Sequence, residues 1–205
     1  SVAIRLRSLL KEVKPDVLHT YLLHSNVLGR IVGRLTGVPT IIGSERTIGQ
    51  ARYWGRLLTK LTNPLTDAVE VNSQTGAIVI EDSLGVPREK IELVKSGVNL
   101  DEFSKPTKGA EIRTELGLIQ DQHLVLYVGR LRPVKGVEFG IRAFALVKNK
   151  RPNLYMALAG EGEQLCKLQN LVNDLGINNH VKFLGVRNDL PDLLAAADSI
   201  LIPSL

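Results

Sequence analysis

Arg130 and Lys135 stand five residues apart in a turn that contains Pro133 and follows the apolar run 124–129. A planar guanidinium fork and a compact ammonium at that spacing can converge on one diphosphate. The same two residues also fit a solvated basic loop. Gly129 closes the run, and Gly160 and Gly162 follow a second apolar run, 154–159. Glycines there let backbone approach a phosphate or sugar closely, or simply make a tight strand-to-helix turn. A third run ends at Gly185 and turns through Val186, Arg187 and Asn188. Nearer the N-terminus, His19 and His24 come just after a predicted strand end, where each suits proton handling, hydroxyl binding or a structural hydrogen bond. Glu45 and Arg46 follow the run 40–43. They suit a ligand hydroxyl and an anionic group respectively, or a surface ion pair with each other.

Such residues need a frame, and short β-rich apolar runs alternate with helical patterns along the whole chain, as in parallel βα units. Strands are predicted at 17–20, 40–43, 68–72, 91–95, 124–129, 154–159, 181–184 and 199–202. A helix over 26–35 stops at Thr36 and Gly37, with Pro39 beyond, the usual chemistry of a helix end. In open parallel sheets ligands lie beyond the carboxyl ends of the strands, where helix N-termini favour anions. The segment that carries Arg130 and Lys135 falls at such an end. Periodicity vanishes over 99–109, which divides the chain into 1–98, a linker at 99–109, and 110–205. The chain opens in a helical pattern and stops in a strand, so both domains are expected to be truncated.

With 205 residues and 44% apolar content the chain can bury a real core. Its net charge of +5 favours anionic partners. Aromatic content of 4%, with no basic run interleaved with stacking side chains, argues against nucleic acid. The single cysteine, Cys166, excludes an internal disulfide and a cysteine zinc cluster, and reads as a half-buried helix residue. No stretch reaches the roughly 20 apolar residues of a spanning helix, and no signal peptide is evident, so a cytoplasmic protein is expected. The segment 50–61 is basic and amphipathic and holds Trp54, which suits a helix lying on a membrane surface or one packed on a core.

Several segments, in order, resemble the family 4 retaining glycosyltransferases. Asp16–Thr20, then Leu28 to Ile31 with Thr36 to Pro39, resemble the first of that family's two Rossmann-like domains, and Val94–Phe103 resembles the segment crossing between them. Gly129, Arg130, Lys135 and Gly136 are similar to its donor-diphosphate motif. Ala159–Gly162, Val181–Gly185 and Ala197–Ser204 follow at the family's distances.

The resemblance implies two facing Rossmann-like domains (the glycosyltransferase B-type fold), acceptor side first and donor side second. It implies transfer of a sugar from a nucleotide-sugar donor to a glycan, lipid-linked or small-molecule acceptor, with retention, in cell-surface glycan or glycolipid synthesis. Arg130 and Lys135 would carry the catalysis by neutralising the leaving diphosphate, with no metal or other cofactor. Gly129, Gly160, Gly162, Val186 and Arg187 would hold the donor, and His24, Glu45 and Arg46 the acceptor. Family members often work on lipid-linked acceptors, so contact with the inner face of the plasma membrane is expected. The chain lacks a histidine after the second strand, where many members have one, which leaves acceptor identity open. The family's glycine-rich loop and its glutamate pair would lie outside the chain, so these residues alone are expected to be inactive. A non-catalytic nucleotide- or partner-binding module is the alternative, and a nucleotide-sugar epimerase a more remote one.

Overall fold

All eight apolar runs form strands, each preceded or followed by a helix with one apolar face. The computed structural model describes residues 1–45, 53–104 and 107–205, and the chain divides into two units, Ser1–Val98 and Asn99–Leu205. The first unit contains α1 (Val2–Val13), β1 (Val17–Tyr21), α2 (Leu23–Leu35), β2 (Thr40–Glu45), α3 (Tyr53–Thr62), β3 (Ala68–Val71), α4 (Gln74–Leu84) and β4 (Ile91–Leu93). Its strands form one parallel sheet in the order β1-β2-β3-β4. The second contains α5 (Leu100–Phe103), α6 (Gly109–Glu115), β5 (His123–Val128), α7 (Val137–Lys148), β6 (Leu154–Ala159), α8 (Leu165–Asp174), β7 (Val181–Gly185), α9 (Leu190–Ala196) and β8 (Ser199–Ile200), with a parallel sheet ordered β7-β6-β5-β8. Both units are thus open, parallel, Rossmann-like α/β sheets.

The central strands β5 and β6 are nearly uniformly apolar because helices cover both faces, as parallel sheets require. Leu126, Leu158, Ile141 and Leu168 are fully buried there. Helix α2 runs three residues further back than its periodicity predicts, starting at Leu23, and β4 and β8 are shorter than predicted. Part of the aperiodic stretch is helical: Asn99 caps α5, its Oδ1 accepting the Asp101 N–H at 3.1 Å. Cys166 is exposed on α8, not half-buried. No helix among the described residues is long and apolar enough to cross a membrane.

One device fixes a strand in each unit. Asp67 donates its N–H to the Ile41 carbonyl at 2.9 Å, and its carboxylate accepts the Ile41 N–H at 2.7 Å and Arg34 at 2.6 Å. Asp198 repeats this on Leu124, at 3.0 Å and 2.7 Å, with Arg113 at 3.0 Å. Burial works against charge at both carboxyls, but the strand amide and the guanidinium outweigh it and hold both below the usual carboxylate range. A depressed pKa adds stability that is present above the unfolded value of about 3.9 and is lost as pH falls through the folded one. Replacing Asp67 and Asp198 by Asn will therefore lower the melting temperature at neutral pH and flatten its decline below about pH 4. Thermal melts from neutral to strongly acidic pH read this, and an unchanged acid slope would contradict it.

Candidate functional site

The carboxyl ends of β5, β6 and β7 surround a cavity of about 430 Å³. Gly129, Arg130, Gly160, Val186 and Arg187 line it, which brings five of the seven residues expected on the donor side to one place. Val128, Val186, Leu190 and Leu193 give it apolar walls, and Glu161 adds an acceptor of hydroxyl hydrogen bonds. Gly162 and Lys135 are not part of the lining. Lys135 is exposed at the end of a 3-10 turn, Pro133–Lys135, that leads into α7. Among the described residues neither Arg130 nor Lys135 makes a side-chain hydrogen bond or ion pair, so both cations are available to an anion.

The two glycines after β6 serve a backbone contact. A Cβ on Gly160 would sit 2.0 Å from the Gly129 carbonyl oxygen, and one on Gly162 would sit 2.3 Å from that of Leu131. Gly160 also holds φ at +136°, where a side chain is strained. Only glycine lets the loop after β6 run against the loop that carries Arg130. That second loop is fixed from below as well: buried Tyr127 donates from its hydroxyl to the Arg130 carbonyl at 2.9 Å.

Arg187 is committed elsewhere. Its guanidinium makes bidentate contacts with Asp189 (2.9 and 2.6 Å) and with Glu115 (2.7 and 3.2 Å). Asp189 first and Glu115 second hold the Arg187 pKa above its ordinary value, and Arg187 in turn lowers both carboxyls. The side chain thus ties the turn after β7 to α6 and to the start of α9. Among the described residues the backbone groups of Val186 and Arg187, which line the cavity, and of Asn188 beyond them take no backbone hydrogen bond.

In the first unit, Glu45 ends β2 with its Oε1 accepting from Asn26 Nδ2 at 2.9 Å, and Arg30 Nη2 lies 3.9 Å away. Arg30 is fully buried, and its Nη1 donates to Asn63 Oδ1 (2.9 Å), Thr62 Oγ1 (3.3 Å) and the Thr59 carbonyl (3.5 Å). His24 sits exposed on the first turn of α2 and, among the described residues, makes no hydrogen bond or ion pair. Arg46 lies outside the described residues. His19 is engaged: its Nε2 is 3.0 Å from Glu70, a carboxylate buried at the end of β3. Sequence reasoning missed Asn26, Arg30 and Glu70. Their signals were present: two polar residues at i, i+4 on the glycine-lined face of α2, and a lone charge inside the apolar strand 68–71.

Two family models divide the chain between them. Residues 109–205 match the group 1 glycosyl transferases, and residues 1–102 match glycosyltransferase family 4. Together the two models place both halves of the chain among the glycosyltransferases. A relative in Escherichia coli, UDP-Gal:alpha-D-GlcNAc-diphosphoundecaprenol alpha-1,3-galactosyltransferase, is 29% identical across 98% of this chain and 55% of its own length. The D-inositol 3-phosphate glycosyltransferase of Streptosporangium roseum is 27% identical across 100% of this chain and 52% of its own. The chain thus spans about half the length of the curated relatives it matches. Among solved structures, Anabaena HepE in complex with UDP superposes with a TM-score of 0.85 at 23% identity, covering 98% of this chain and 56% of that one, which supports the two-domain fold.

Proposed function

We propose that this chain carries the donor pocket and part of the acceptor domain of an enzyme that moves a sugar from a UDP-sugar to an acceptor hydroxyl, with retention, in glycan or glycolipid synthesis. The observation that carries the reading is the shape and polarity of the cavity after β5, β6 and β7. Apolar walls, with lining peptide groups that take no backbone hydrogen bond among the described residues, suit a nucleobase, Glu161 suits sugar or ribose hydroxyls, and Arg130 stands at the rim with Lys135 five residues on. Uridine is the base because HepE binds UDP and UDP-glucose and the E. coli relative is named for UDP-Gal. Arg130 and Lys135 take up the charge that grows on the leaving diphosphate, a role that needs no divalent cation. The acceptor is a lipid-linked glycan, by analogy with the diphosphoundecaprenol substrate in that relative's name.

Helix α3 supports work at the cytoplasmic membrane surface, since it is turned inside out. Thr59 and Thr62 face inward onto Arg30, whereas Trp54, Leu58 and Leu61 are 70%, 49% and 66% exposed along one stripe beside exposed Arg56 and Lys60. An apolar stripe flanked by cations suits an anionic interface.

Calorimetric titration with UDP, UDP-glucose, UDP-galactose, ADP and GDP tests the donor assignment. Uridine ligands should bind, and binding should weaken at least about thirtyfold in an Arg130→Ala, Lys135→Ala chain, the size expected for losing two charge-assisted contacts. A folded chain that prefers ADP or GDP, or that binds UDP equally well without the two cations, would refute it. Co-sedimentation with vesicles that does not depend on anionic lipid would refute the membrane assignment.

A further inference from the structure

The turn after β7 is anchored at its two ends and by one side chain between them. Gly185 opens it at φ 66°, with its carbonyl accepting the Gly160 N–H at 2.7 Å, and α9 starts beyond it at Leu190. Both flanks have their own fixings. Lys182 on β7 donates to the Leu116 carbonyl at 2.7 Å, and Leu193 and Ala196 of α9 are buried in one cluster with Ile112 and Leu116. Between the flanks, Val186, Arg187 and Asn188 take no backbone hydrogen bond among the described residues, and Val186 is 66% exposed. Of these three positions only Arg187 makes side-chain hydrogen bonds there.

The two carboxylate partners of Arg187 do different work. Asp189 lies two residues on in the same turn, so that pair shapes the turn without placing it. Glu115 ends α6, seventy-two residues earlier, and its contacts at 2.7 and 3.2 Å fix the shaped turn to the body of the unit. Asp189 stands at the N-cap of α9 yet makes no side-chain cap bond, both of its oxygens being taken by the guanidinium. An isolated exposed ion pair contributes little, but a planar fork shared by two carboxylates holds a defined geometry. The Arg187 side chain is only 23% exposed, which limits screening by solvent and salt.

We propose that Glu115 is a positioning residue for base selection: acting through Arg187, it sets the place of the turn whose lining residues, Val186 and Arg187, meet the nucleobase. This rests on the donor reading of the cavity given above. Glu115 is not among the lining residues, so it acts without touching the ligand. The diphosphate falls to Arg130 and Lys135, on the loop after β5, so base contacts and phosphate contacts are separable. A turn released from α6 keeps the second set and loses the preorganisation of the first.

Calorimetric binding of UDP and of ADP to the full chain and to its Glu115→Ala and Glu115→Gln variants tests this. In Glu115→Ala, UDP affinity should fall about tenfold, as for one lost charge-assisted contact, while ADP affinity stays the same, so the preference for uridine shrinks by that factor. Glu115→Gln keeps one oxygen to accept from the fork and should lie between. The Glu115 side chain is 51% exposed and bonds only to Arg187 among the described residues, so both variants should fold, which thermal melts check. Equal UDP affinity in Glu115→Ala would overturn the proposal. So would UDP and ADP affinities that fall together, the mark of a general loosening of the unit. A wild-type chain with no preference for UDP over ADP would instead strike the donor assignment, so the two failures are distinct.

Discussion

Under the proposed function, alanine at both Arg130 and Lys135 will cut sugar transfer at saturating donor by about a thousandfold or more in an active enzyme that contains these two units, while leaving the melting temperature unchanged. The stability half follows from exposure: both side chains are solvated, and among the described residues neither has an intramolecular partner to lose. The rate half follows from where charge develops. On the proposed reading the donor diphosphate attracts the cations in the ground state, and its charge rises as the glycosidic bond breaks, so the interaction would strengthen toward the transition state and lower the barrier. Removing one such donor typically costs a hundred- to a thousandfold, and two that act on one group fall short of additive. Arg130→Lys will recover little, because an ammonium cannot reproduce the two parallel contacts of the fork. Steady-state kinetics at saturating donor decide the matter. A variant that binds the donor weakly yet turns over at the wild-type rate would show that the cations only hold the donor and do not assist the chemistry.

How much of this was legible in the sequence depends on the range of the interaction involved. Strand positions were legible because burial on both faces leaves a local mark, an apolar run bounded by glycine, and all eight runs are strands. The loop carrying Arg130 was legible for the same reason. What Gly160 does was not, because its neighbour, the Gly129 carbonyl, is thirty-one residues away and leaves no trace in side-chain identity. Arg187 illustrates the same limit. Its sequence neighbour Asp189 hints at a local pair, but Glu115, seventy-two residues earlier, turns a basic residue at a binding loop into a structural clamp. The segment 50–61 was legible as amphipathic but not in its orientation. Which side of α3 faces inward is decided by Arg30, whose need for hydrogen-bond acceptors draws Thr59 and Thr62 to the core and leaves the leucines outside.

Arg30→Met will destabilise the first unit by about 3 kcal/mol, the range seen when one partner of a buried ion pair is removed. Methionine nearly matches the volume of the stem, so little of the loss comes from a cavity. It comes from what the guanidinium leaves behind: Asn63 Oδ1 loses its donor, and Glu45 keeps Asn26 but loses the only cation the described residues place near it. Burial draws the Arg30 pKa down and Glu45 partly offsets this, yet an arginine stays ionised in any protein, so the native state carries a full charge in its core. Adding Glu45→Gln should restore part of the lost stability, because it removes the stranded charge while an amide oxygen still accepts from Asn26. Denaturant unfolding of the two variants measures the coupling, and hydrogen exchange at α2 and α3 shows whether the loss is local to the pair. If Arg30→Met proves neutral, the guanidinium does not hold Glu45 in place. Otherwise the residue read from sequence as an acceptor contact owes its position to a charge buried one helix away.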